Sequence, residues 1–196
     1  VKKAAEEKRG SRAHFKLAQL DARFGLARKD AVVVELGAAP GGWTRYLAPR
    51  VARVVAIDLL DMPAIATNVT VARLDIHSHD FDDALRILLG KHKADLVLSD
   101  MAPNISGVKV ADQAASMALV DLATLTAQRF LNPGGALVVK MFQGEGVDEW
   151  IRVRRDEYQR VVLAKPEASR AESREVYGVA LRWRGADAAP SAVGGA

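Results

Sequence analysis

The sequence predicts an α/β fold: a mostly parallel, doubly wound sheet of seven strands flanked by helices. Three observations carry that prediction. Apolar, β-branched runs of strand length alternate with helix-spaced segments through the first five strands, the pattern that builds a parallel sheet covered on both faces. The run Val32-Val33-Val34-Glu35-Leu36 empties directly into Gly37-Ala38-Ala39-Pro40-Gly41-Gly42-Trp43, which reads as a buried strand, a glycine-rich turn and a helix. Finally, Gly37, Asp58, Asp75, Asp100 and Lys140 all fall where apolar strands finish. In open parallel sheets, ligands sit outside the carboxyl ends of the strands.

In order along the chain, the first ten residues are charged, and Ser11 is placed to cap a helix carrying Phe15, Leu17, Leu20 and Phe24, with Gly25 as its stop. After the first strand comes a helix over residues 43–48 that Pro49 helps to end. Arg53-Val54-Val55-Ala56-Ile57-Asp58 is the second strand, and residues 69–74 form a short third one ending at Asp75. A helix over residues 84–89 stops at Gly90. Ala94-Asp95-Leu96-Val97-Leu98-Ser99-Asp100 is the fourth strand. Helical spacing over residues 113–131 is broken by Asn132-Pro133-Gly134-Gly135 before the fifth strand, Ala136-Leu137-Val138-Val139-Lys140. A helix over residues 147–155 and strands over residues 158–164 and 175–181 complete the pattern. Residues 1–184 therefore read as a single domain with a basic N-terminal segment at 1–10. Residues 185–196, rich in Ala, Pro and Gly, lack the apolar mass to pack and form a flexible tail.

Composition narrows the function classes. A chain of 196 residues with 49% apolar and 27% charged residues suits one soluble globular domain. No apolar run approaches the roughly 20 residues of a membrane span, and no secretory apolar region is visible. Position 1 is a valine, so the natural start can be missing; an organellar destination stays open beside a bacterial-type cytoplasmic one. The absence of cysteine excludes disulfides, thiolate metal sites and cysteine nucleophiles. The net charge of +4 is unevenly spread. Lys2, Lys3, Lys8, Arg9, Arg12 and Lys16 crowd one end, while Lys165, Arg170 and Arg174 cluster near the other, a footprint suited to a polyanion.

The glycine loop has its own chemistry. Glycines let the backbone turn sharply and approach a ligand, and the following helix points free N–H groups at an anionic end. The dinucleotide fingerprint is absent because Ala39 stands at its second glycine, and no Gly-Lys-Ser/Thr follows to make a phosphate loop. What remains is a nucleoside-cofactor loop, for which an acid about 20 residues on should hold ribose hydroxyls; Asp58 supplies it. Lys140 closes an apolar strand, where burial disfavours the charged amine and a nearby Asp100 favours it. His77-x-His79 has no third ligand in view, so no metal site is expected. Trp43, Trp150 and Trp183 read as packing groups.

Five separated motifs give a resemblance to a known family. Ser11-Arg12-Ala13-x-Phe15-Lys16-Leu17, the loop Leu36-Gly37-Ala38-Ala39-Pro40-Gly41-Gly42-Trp43, and Ser99-Asp100-Met101-Ala102-Pro103-Asn104 come first. Val139-Lys140-x-Phe142-Gln143-Gly144 and Ser169-Arg170-x-x-Ser173-Arg174-Glu175-Val176-Tyr177 follow in order. Over residues 11–181 the chain resembles the FtsJ/RrmJ family of S-adenosylmethionine-dependent RNA ribose 2′-O-methyltransferases, and its bacterial branch that methylates a uridine of large-subunit ribosomal RNA. The resemblance implies a Rossmann-like class I methyltransferase fold and a Lys-Asp-Lys-Glu tetrad falling on Lys16, Asp100, Lys140 and Glu175. It also implies S-adenosylmethionine contacts from Gly37, Ala38, Pro40, Gly41, Gly42, Trp43, Asp58, Asp75 and Asp100. Two positions depart from the pattern: His14 stands where a bulky aromatic or alanine is common, and Gly178 where an aliphatic is usual. They bear on RNA contact and strand packing, not on the chemistry.

On this reading Lys140 is the first candidate for general base toward a ribose 2′-hydroxyl, helped by the like charge of Lys16, and which tetrad member takes the proton stays open. Asp100 orients Lys140 and the cofactor's amino end, and Glu175 steers a lysine or the ribose. Arg12, Lys16, Arg170 and Arg174 would contact phosphates, with Ser169 and Ser173 as hydrogen-bond donors. The partner expected is ribosomal RNA or the assembled large subunit, met by a monomer without membrane involvement. Methylation at pyrimidine C5 is disfavoured, since it needs a cysteine nucleophile. Transfer RNA methylation on the same fold and a non-catalytic RNA-binding assembly factor are the alternative readings.

Overall fold

The computed structural model describes residues 2–169 and 172–186, with side chains from Arg12 onward. Its strands are β1 (Val32–Leu36), β2 (Arg53–Asp58), β3 (Val69–Arg73), β4 (Ala94–Ser99), β5 (Leu131–Phe142), β6 (Tyr158–Ala164) and β7 (Glu175–Trp183). They form one seven-stranded sheet in the order β3-β2-β1-β4-β5-β7-β6. The helices are α1 (Lys2–Phe24), α2 (Gly42–Leu47), α3 (Phe81–Leu89), α4 (Lys109–Phe130) and α5 (Val147–Glu157). Strands β1 to β5 pair in parallel, whereas β7 runs antiparallel to both β5 and β6. The strand order reverses between β1 and β4, where the connections leave in opposite directions and open a crevice.

Side-chain alternation along the strands divides the core in two. Val33, Val54, Ala56, Leu98, Val138 and Val179 pack with Leu17 and Leu20 of α1 and Trp43 and Leu47 of α2. Their neighbours Val34, Val55, Ile57, Val97, Val139 and Ala180 pack with Leu85 of α3, Val120 of α4 and Trp150 of α5. Burial on both faces explains why the central strands are near-continuous apolar runs. No helix among the described residues is long and apolar enough to cross a membrane.

Several boundaries differ from the sequence expectation. Ser11 does not cap α1, which already runs from Lys2, because the Lys, Ala and Glu of residues 2–8 are strong helix formers that carry the helix through Gly10 and Ser11. Gly25 does end it, at φ +64, with its N–H donating to Asp21 O at 2.7 Å. Leu17 and Leu20 are buried as expected, but Phe15 is 57% exposed. Strand β5 starts at Leu131, upstream of the predicted Pro-Gly-Gly break. Ala94 pairs with Leu131 and the register then shifts before Leu96 meets Ala136, so the turn residues are absorbed as a bulge. The predicted tail falls largely on residues 187–196, which lie outside the described residues.

Both departures from the family pattern find a local reason. The His14 ring makes edge-on contacts with Phe15 and Tyr46. At Gly178 a Cβ would lie 2.7 Å from Met141 Cε and 2.7 Å from Trp150 Cζ3, so the space an aliphatic would take is already filled. Gly178→Ala is expected to destabilise the fold by roughly 1–3 kcal/mol through overpacking, read as a lower denaturant midpoint; an unchanged midpoint would show that Trp150 moves freely.

Candidate active site

Strand register sets the site. Leu36 pairs with Ser99 and Ser99 with Val139, so Gly37, Asp100 and Lys140 stand at one level, where β1 and β4 end and β5 runs on to Phe142. Lys140 is paired with Tyr177 and Phe142 with Glu175 across the antiparallel β5–β7 ladder. Alternation then sends Lys140, Tyr177 and Glu175 to the face covered by α1, where Lys16 precedes the buried Leu17.

Two ion pairs and a phenol connect these groups. Lys16 Nζ donates to Glu175 Oε2 at 2.9 Å. Lys140 Nζ donates to the main-chain oxygen of Asp100 at 2.6 Å and lies 3.3 Å from Asp100 Oδ1. The Tyr177 hydroxyl donates to the same Oδ1 at 2.8 Å. Lys16, Asp100, Lys140 and Glu175 line one cleft of about 870 Å3 together with the glycine loop. The expected like-charge approach of Lys16 to Lys140 is thus replaced by two pairs, each lysine being engaged by its own acid. Burial would raise the Glu175 carboxyl, but the Lys16 hydrogen bond and the Lys140 and Lys16 charges outweigh it and hold it below the usual range. Burial, then the Asp100 charge, pushes the Tyr177 phenol well up, so it stays a donor to Asp100.

The glycine loop is braced from below. Gly37 adopts φ +74, and a Cβ there would lie 2.8 Å from Met101 Cγ and 3.0 Å from Met101 N. Asp58 Oδ2 accepts the Ala39 N–H and Oδ1 the Leu60 N–H, each at 2.9 Å, so the expected ribose acid also fixes the loop. Ala38, Pro40, Gly42 and Trp43 line the same cleft as the lysines. Trp43 is 2% exposed, and its Nε1 donates to Ala13 O at 2.7 Å, fastening α1 to the loop. Gly41 serves the turn, at φ +93 against Ile65. The expected anion-holding helix start is weak here: α2 has six residues, too few aligned peptides for a full macrodipole.

A second cleft of about 540 Å3 meets the first at Gly37, Ala39, Asp100 and Ala102, and is lined by Asp58, Asp75, His77 and Asn104. Asp75 Oδ1 accepts the His77 main-chain N–H at 2.9 Å and faces its ring Nδ1 at 3.0 Å; these hydrogen bonds hold Asp75 below the usual carboxylate range.

The expected RNA contacts divide. Arg12, Lys16 and Ser173 line the first cleft, and the Arg174 guanidinium lies over the Phe142 ring at 5.5 Å. Ser169 is buried: it is 8% exposed and its Oγ has no hydrogen-bond partner among the described residues, at the end of the turn closed by its N–H donating to Pro166 O at 2.9 Å. Arg170 lies outside the described residues. Two site residues carry no expectation from the sequence: Tyr177, which bonds Asp100, and Glu35 with its Thr44 partner. A lone charge within Val-Val-Val-Glu-Leu was the available signal for Glu35.

The two joined clefts suit a nucleoside bearing a cationic arm. Glycine backbone allows close approach where a Cβ would collide with Met101, and carboxylates at the ends of successive strands offer acceptors to hydroxyl and amino groups. With this strand order, the sheet and site define a Rossmann-like, class I methyltransferase. The family model described as FtsJ-like methyltransferase matches residues 10–183, and the chain belongs to that family. It is 46% identical over 187 residues to the ribosomal RNA large subunit methyltransferase E of Marinobacter nauticus, covering 94% of this chain and 90% of that protein. It is 44% identical to the enzyme of the same name from Chromohalobacter salexigens, covering 89% and 84%. A solved structure from Plasmodium falciparum, provisionally classed as a ribosomal RNA methyltransferase, superposes with a TM-score of 0.80 at 27% identity, covering 89% of this chain and 98% of that one.

Proposed function

We propose that this protein transfers a methyl group from S-adenosylmethionine to the 2′-hydroxyl of a ribose, that of a uridine in large-subunit ribosomal RNA. Residues 1–184 act as one methyltransferase domain, working as a cytoplasmic monomer on the RNA or on the assembled subunit. The observation that carries this reading is the convergence of the Lys16–Glu175 and Lys140–Asp100 pairs on one cleft beside the glycine loop. Membership of a family whose relatives are named for large-subunit ribosomal RNA supports the substrate class.

When bound, S-adenosylmethionine supplies a methyl group already activated by a positive sulfur. The Gly37 loop, Asp58 and Asp75 hold its nucleoside end, and Asp100 Oδ2, which neither Tyr177 nor Lys140 occupies, is available to its amino end. Lys140 takes the proton of the 2′-hydroxyl. The Asp100 main-chain oxygen and carboxylate hold Lys140 Nζ from one side and orient it toward the cleft, where the hydroxyl would meet it. Tyr177 fixes the Asp100 carboxylate in that geometry. Glu175 holds Lys16 at the RNA side, where with Arg12 it meets phosphate. Most of the rate enhancement then comes from alignment.

The test is labelled-methyl transfer onto unmethylated ribosomal RNA and onto purified large subunits, followed by mapping of the modified ribose. Label on a large-subunit uridine ribose is expected. Preferential labelling of transfer RNA would move the activity to the sister substrate, and no transfer to any RNA would overturn the reading.

A further inference from the structure

Glu35 is the one ionisable residue of β1 and is 1% exposed. Its Oε2 accepts the hydroxyl of the equally buried Thr44 at 2.7 Å. No cation pairs with it among the described residues: Lys16 and Lys140 are engaged by Glu175 and Asp100. On α2, Arg45 points to the Pro40 carbonyl. The charges facing Glu35 from the neighbouring strand ends are carboxylates, Asp100 after β4 and Asp58 at the end of β2. At the cleft's outer side stand Arg12 on α1 and Glu172 between β6 and β7. Yet Glu35 lines the cleft beside Gly37 and Asp100. Core packing alone would be served by an apolar residue, and a buried carboxyl without a counter-ion is costly once ionised. Any positive charge that meets Glu35 would have to enter the cleft with a ligand.

We propose that Glu35 senses ligand charge in the floor of the donor cleft: it meets a cationic sulfonium ligand as the carboxylate and a neutral thioether as the protonated acid. Binding of the charged ligand therefore expels a proton to solvent, whereas the spent ligand leaves from an uncharged floor. This rests on the reading of the cleft as the S-adenosylmethionine site. The physical state of the free protein agrees with it. Burial raises the Glu35 carboxyl to about 8, the Asp100 and Asp58 charges adding to burial and the Thr44 hydrogen bonds opposing it. A unit positive charge within about 6 Å would, at an effective dielectric of about 20, favour the carboxylate about a hundredfold and so would ionise it near neutrality. The sulfonium donor and its thioether product differ at sulfur by that single charge.

The experiment is calorimetric binding of S-adenosylmethionine and of S-adenosylhomocysteine to the whole protein, in buffers of different ionisation enthalpy, from about pH 6 to about pH 8. For the wild type, close to one proton released per donor and almost none per product is expected near neutrality. The donor-to-product affinity ratio should rise about twentyfold between about pH 6 and about pH 8. Glu35→Gln should abolish the donor's extra proton release and flatten the ratio. Thr44→Val, which removes a stabiliser of the carboxylate, should shift the profile to higher pH even if Glu35→Gln folds poorly. Equal proton release by both ligands, or unchanged release in Glu35→Gln, overturns the inference while leaving the donor site intact. Failure of both ligands to bind the wild type overturns the donor-site reading and the inference together.

Discussion

In a labelled-methyl assay, Lys140→Ala is expected to lose about a thousandfold in kcat, the range for removing a positioned general base, while S-adenosylmethionine affinity changes only a few-fold. Lys140→Arg should be equally inactive, because a guanidinium does not give up its proton and cannot accept another. The two contacts from Lys140 Nζ to Asp100 make this a sharp test. Arginine can keep the charge near Asp100, so an electrostatic role alone would survive the exchange, whereas proton transfer would not. A fully active Lys140→Ala would remove Lys140 from the chemistry and leave Lys16 as the next candidate.

Glu35→Gln is expected to be the more stable protein above about pH 8 in the absence of ligand. The sign follows from which state holds the proton. Burial raises the folded-state carboxyl from 4.5 to about 8, so through that window the folded protein keeps a proton that the unfolded chain has released. Stability from this group is therefore fully present at low pH and falls as pH rises through the window, by up to several kcal/mol at about 1.4 kcal/mol per pKa unit. Glutamine still accepts from Thr44 and never ionises. Denaturant midpoints of the two proteins, compared from about pH 5 to about pH 9, should diverge as pH rises; parallel profiles would show that Glu35 is not held neutral.

The contrast between Asp58 and Ser169 shows what a linear reading can reach. Asp58 was legible because its position depends on a local fact, the end of an apolar strand a fixed distance beyond a glycine loop. Ser169 was not, since a loop residue's exposure depends on what the loop packs against. Likewise Ser11 has the chemistry of a cap, but seven strong helix formers upstream outweigh one capping hydrogen bond. Tyr177 belonged to a recognised motif, yet its bond to Asp100 spans 77 residues of sequence and depends on β7 lying beside β5.

By itself the sequence determined the α/β class, every strand but β5 to within two residues, the glycine loop and the residue types of the site. Those features come from periodicity, backbone freedom and side-chain chemistry, which are properties of neighbours along the chain. Only the tertiary structure decided the strand order, the antiparallel insertion of β7 that carries Glu175 to Lys16, and the counter-ion given to each lysine. It alone left Glu35 buried without one. Such pairings depend on register between distant strands, and on which charges burial forces together, and neither is written in local pattern.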